Sequence, residues 1–223
     1  MLTDMVAMTI SSTPPDPEIW ATIDRRLRTG DEDRWLSSRY AEPDARNDLI
    51  ALYAFCWELA RVRLIVTEPT LAAIRFQWWR DALAELEEGR PPRAHDVVSV
   101  VAVMLDRSAL TTADLVSIID GYEAAFEQND RALEPEAVIA RYASSIVAPS
   151  VDLGSDVENL ALEFAAARRG DAVASPAPIT PLPSSVLPSL AHLRLRKLYA
   201  RGAAPRPLSK RLSVFRAVLS GKV

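Results

Sequence analysis

Cysteine is almost missing from this chain: Cys56 is the single one among 223 residues. No intramolecular disulfide and no cysteine-based zinc cluster can form, and such usage fits a reducing compartment, so a cytoplasmic protein is expected. Glycine is scarce as well, at seven residues, which speaks against a many-turned β architecture. The two histidines, His95 and His192, fall in a turn and in the tail and are too isolated for histidine-based catalysis. Long hydrophobic runs are missing; the best, "VVSVVAVML" at 97–105, is far below the roughly 20 residues of a spanning helix. Glycine-rich phosphate loops, a G-x-S-x-G elbow and H-E-x-x-H are all absent. Residues 1–15 lack the basic start and small-residue cleavage site of an export signal and read as a flexible leader. Finally, acid is missing from the tail. After Asp171 there are nine Lys/Arg and no Asp or Glu, whereas residues 1–171 hold seventeen basic and thirty acidic side chains. Such a tail can dock on the body of its own fold, on an anionic membrane surface through 208–223, or on an acidic partner. Nucleic acid is not an expected partner, because the net charge is −4 and no reading module is recognisable.

What is present is helical. With 49% hydrophobic and 25% charged residues the chain can bury one sizeable core, and its Ala/Leu/Arg/Glu-rich segments predict an all-α protein. Asp16 as N-cap, Pro17 at the first helical position and Gly30 as a stop delimit a first helix. Residues 43–66 run without a breaker, with Leu52, Phe55, Leu59, Val62 and Val66 at helical spacing. A second long helix follows Pro69 and ends near Gly89. It is apolar around so much of its circumference that it must be largely buried. Further helices are expected over 96–107, 112–128 (with a capping threonine in "TTADL"), 135–147 and 156–169. Five prolines between Pro176 and Pro188 predict a linker over 172–188. Two basic helical segments, 187–201 and 208–221, close a single domain spanning 16–223.

Several stretches carry a resemblance. "LYAFC" at 52–56, "IRFQWWRDAL" at 74–83, "RAHDVV" at 93–98, "LVSIIDGYEAAFE" at 115–127 and "RLSVFRAVLSG" at 211–221 together resemble the squalene/phytoene synthase family over most of residues 34–223. The resemblance implies an isoprenoid-synthase-like helical bundle, shortened in its second half. It also implies a head-to-head condensation of prenyl diphosphates, with magnesium held by two aspartate-rich motifs facing a helical cavity. A leaving diphosphate needs hard cations, and these need carboxylate oxygens. Here the motif's aspartate positions fall on Ala60 and Leu64 and its arginine position on Trp57, while Arg61 and Arg63 add positive charge. The second motif, N-x-x-R-D-x-x-x-D, has no counterpart before Pro188.

The reading that follows is a non-catalytic relative, similar to assembly factors for respiratory complex I, that binds a partner protein or an isoprenoid-like lipid, with no catalytic residues, metal or cofactor. Tyr53, Trp57, Arg61, Arg75 and Trp79 are the candidate ligand-binding residues, drawn from an aromatic-rich pair of consecutive helices. Those aromatics equally suit core packing. Glu58 with Arg61 is an expected ion pair, and Arg75 with Trp79 a cation–π pair. An open space between the two helices would suit a lipid; a filled one, a protein partner. The alternative is a magnesium-dependent prenyltransferase using displaced carboxylates, for which Asp120, Glu123 and Glu127 form the fallback metal set.

Overall fold

A computed structural model describes residues 15–171, 180–202 and 205–223. Within them the fold is α-helical, with one isolated antiparallel bridge between Pro181 and Lys222. The helices are α1 (Pro17–Gly30), α2 (Glu32–Ser38), α3 (Pro43–Ile65), α4 (Pro69–Glu87), α5 (Asp96–Arg107), α6 (Thr112–Glu127), α7 (Glu136–Val147), α8 (Gly154–Arg169), α9 (Leu187–Leu190), α10 (Arg196–Tyr199) and α11 (Pro207–Ser220).

The N-capping chemistry read from the sequence operates as expected, whereas Gly30, expected as the stop of α1, is its last helical residue with no left-handed turn, and Asp31 is the C-cap. Asp16 accepts the Glu18 amide at 2.8 Å, and Thr111 and Asp114 close a reciprocal capping box at the start of α6. These contacts satisfy helix-end amides that would otherwise go unpaired.

α3 is the axis of the molecule, with every residue from Asp48 to Cys56 buried. Ile23 and Leu27 of α1 pack on it, as do α5 (Val97, Val101, Met104) and the inner faces of α4, α6 and α7. A second apolar cluster joins α8, α9 and α11 around Phe164, Leu190, Leu193, Val214 and Ala217.

Two stretches depart from the expectations. α2 lies where no helix is expected, because four of its five buried side chains are polar (Asp33, Arg34, Ser37 and Ser38, beside Leu36) and give no apolar period to detect. The segment 187–201 is not one helix but two single turns flanking a 3₁₀ stretch, Ala191–Leu195. Of the proline-rich region, 172–179 lies outside the described residues, as does 1–14 of the leader. The remainder is anchored at its two ends: Val186 and Leu187 are buried, and the Thr180 and Val223 backbones exchange hydrogen bonds of 2.9 and 3.0 Å.

Candidate functional site

On one side of α3 a cavity of about 240 Å³ opens between α2, α3, α6, α7 and α8. Cys56, Trp57 and Ala60 form the α3 wall, and Asp31, Arg34, Glu134, Glu136 and Arg168 bring charge to it. Gly30 makes the Trp57 wall possible. A Cβ on Gly30 would fall inside the Trp57 indole, so only glycine lets the end of α1 approach this closely.

The charges are tied to one another. Arg34, buried at the centre of α2, donates to Asp31 at 2.8 Å and to Glu136 across the cavity. Arg168 donates to the other Asp31 oxygen at 2.8 Å. Glu134 accepts from Arg63 at 3.0 Å and from Arg131 at 2.8 Å. Burial alone would disfavour ionised Asp31, but the Arg168 and Arg34 guanidiniums outweigh it and hold the carboxyl well below the usual carboxylate range. Burial works equally against the Arg34 charge, and Glu136 and Asp31 overcome it. Cys56 is pushed up to about 12 by burial and is therefore an inert thiol at neutral pH. His192, packed edge-on against Phe164 and Tyr53, is pushed down to about 3 by burial, with Arg34 adding to the effect. It is a neutral core residue.

The five candidate ligand residues do not form one site. Trp57 lines the cavity, and Arg61 lies 5.8 Å from its ring centroid while pairing with Glu58 at 3.1 Å. Tyr53 is structural: its hydroxyl donates to the Ser189 carbonyl at 3.0 Å beneath the Arg34 guanidinium. Arg75 and Trp79, on α4, face away from the cavity and line a separate depression with Trp78, His95 and, from α3, Glu58, Val62 and Ile65. Their expected stacking is not found; Arg93 lies over Trp78 instead, at 5.1 Å, and Trp79 is wedged edge-on between Phe55 and His95. The Phe55–Trp79 contact, at 5.3 Å between centroids, closes the inner part of the space between α3 and α4, and the outer part stays open as this depression of about 250 Å³.

The fallback carboxylates are committed too. Asp120 and Glu123 both accept from Arg80 of α4 at 2.5 Å, and Glu127 is exposed beyond them. Asp31, Arg34, Glu136 and Arg168, the polar centre of the cavity, were not among the candidates from the sequence. Only the Asp31/Arg34 spacing of three was legible there; Glu136 and Arg168 join from 102 and 137 residues away.

The segment that builds most of this cavity, residues 27–150, matches the family model described as Squalene/phytoene synthase. The chain belongs to the squalene/phytoene synthase family. Cattle and human proteins named "NADH dehydrogenase (ubiquinone) complex I, assembly factor 6" are each 32% identical to it over 98 residues, which is 44% of this chain and 29% of the relative. The rat protein of that name is 33% identical over 97 residues. The match thus covers less than a third of these relatives' length. No solved structure matches the chain.

For a squalene/phytoene synthase family cavity, the donor set is unusual. Ala60 lines it without an oxygen to offer, and Leu64, where the resemblance puts the second aspartate, is 72% exposed near the end of α3. Asp31, Glu134 and Glu136 supply carboxylates, but each already meets an arginine. Among the described residues no group of three or more His, Cys, Asp or Glu side chains is placed to hold a metal ion. The lining therefore does not fit a magnesium cluster.

Proposed function

We propose that this member of the squalene/phytoene synthase family is a non-catalytic binding protein that assists assembly of a respiratory complex I through contact with a partner protein. The observation that carries the reading is the cavity's charge arrangement: arginines stand where the reaction needs cations bound by free carboxylates. An arginine can grip a phosphate, but it does not replace a bridging metal in ionising a prenyl diphosphate. The names of the matched relatives support the assembly role. The charged lining of the cavity favours a protein over an isoprenoid-like lipid, whose tail needs an apolar sleeve.

The test has two arms. Purified protein incubated with magnesium and farnesyl or geranylgeranyl diphosphate is expected to release no diphosphate above background; robust turnover overturns the reading. Deleting the gene in its native host is expected to lower assembled NADH dehydrogenase on native gels, and an unchanged complex also overturns it.

A further inference from the structure

The tail docks on its own body through part of α11 only. Lys210 reaches buried Asp33 at 2.8 Å, Arg211 reaches Glu32 at 3.4 Å, and Val214 and Ala217 are buried against the second apolar cluster. The opposite face is apolar and, among the described residues, left open: Leu208 is 76% exposed, Leu212 46%, Phe215 45% and Leu219 70%. Their spacing of four, three and four residues is that of a two-heptad seam. At 100° per residue the four fall within an arc of about 60°. The ridge is held firmly in place, because the Thr180–Val223 and Leu182–Gly221 backbone bonds lock the chain just beyond the helix.

From this ridge we infer a docking site for an amphipathic helix of another protein, one that carries acidic side chains beside its own apolar seam. Charge selects the occupant. Arg211 and Arg216 flank the ridge on its two sides, and no acidic residue occurs anywhere in α11. In heptad terms they occupy a g position and the following e position, five residues apart. A second copy of this chain aligned parallel would set Arg211 against Arg216, and one aligned antiparallel would set each against itself. Self-pairing is therefore opposed in both directions, most strongly at Arg216, while glutamates at the partner's e and g positions would pair with Arg216 and share Arg211 with Glu32. The narrowness of the stripe separates this site from a lipid-binding one. An interfacial helix sinks a broad apolar face, whereas an a/d seam of four side chains is sized for one helix.

The inference rests on the partner-binding reading for its biological meaning, but its test is independent. A 21-residue peptide with Leu at a and d and Glu at e and g is titrated into the full chain by fluorescence anisotropy, beside a counterpart with Lys at e and g. The Glu peptide is expected to bind at least tenfold more tightly than the Lys peptide and to weaken in high salt. Leu212→Asp or Leu219→Asp is expected to weaken it at least fivefold, with circular dichroism and thermal melting unchanged because both positions are exposed. Arg216→Glu is expected to narrow the Glu-over-Lys preference. Equal affinity for both peptides, or no binding, overturns the inference. So does binding of phosphatidylserine-containing vesicles without peptide binding, or a dimer in sedimentation that Leu219→Asp dissolves. In the host, loss of NADH dehydrogenase assembly on gene deletion, rescued equally by wild type and Leu212→Asp, defeats this site while leaving the assembly role standing. No loss on deletion defeats the role and leaves the peptide result untouched.

Discussion

Single residues decide how far the interior can differ from an ordinary apolar core. Trp57 lines the cavity because Gly30 yields room for its indole. Gly30→Ala is expected to destabilise the fold by about 1–3 kcal/mol, the usual cost of overpacking, read as a lower urea midpoint. His192 makes the second residue-scale case. Its folded value lies below that of the unfolded chain, so its contribution to stability is full above pH ~6.5. As pH falls from there toward its folded value near 3, the unfolded state takes up the proton first and stability is lost, by up to about 1.4 kcal/mol per pH unit. His192→Phe is expected to flatten the fall in melting temperature between pH 7 and 5 relative to wild type; equal slopes would show that His192 is solvated.

At the scale of elements, α2 and α11 together explain where the tail's charge goes. Asp33 of α2 is 1% exposed and is met by Lys210 at 2.8 Å and by the Tyr199 hydroxyl at 2.6 Å. Burial and the neighbouring Asp33 push the Tyr199 phenol up to about 12, so it remains a donor. Lys210→Met removes one partner of a buried carboxylate. It is expected to cost about 1–3 kcal/mol and to speed amide exchange across 207–220, measured by hydrogen–deuterium exchange. Unchanged exchange there would mean that apolar contacts alone hold α11. The basic segment 208–221 was legible as a helix, and docking on the body was one of its open readings. That its inner face is Lys210, Val214 and Ala217, leaving Leu212 and Phe215 outside, was not legible. An amphipathic period says which residues share a face, not which of two apolar faces the body covers.

Across the whole molecule, the Asp31–Arg34–Glu136–Arg168 network ties α2, α7 and α8 around the cavity. Breaking one partner of a buried set leaves an uncompensated charge, so Arg34→Met is expected to cost about 3–5 kcal/mol. Arg34→Met combined with Glu136→Leu is expected to recover most of that loss in urea denaturation, since both charges then leave together. A double variant no more stable than the single would mean that Asp31 and Arg168 depend on Arg34 more than Glu136 does. No helix among the described residues is long and apolar enough to cross a membrane.

The sequence by itself determined the all-α class, most helix bounds, the N-caps of α1 and α6 and the family, because these rest on local periodicity, terminal hydrogen bonds and contiguous motifs. Through the resemblance it also set Ala60 and Leu64 at the positions where aspartate ligands are expected. The tertiary structure decided which charges meet. Arg34 with Glu136, Arg168 with Asp31 and Lys210 with Asp33 are pairings between distant segments, and a charged side chain has no period that announces its burial. It likewise split the aromatic residues of α3 and α4 between a cavity wall, a ring contact in the core and a separate depression. Adjacent positions on a helix point to different neighbours, and only packing says which neighbours they are.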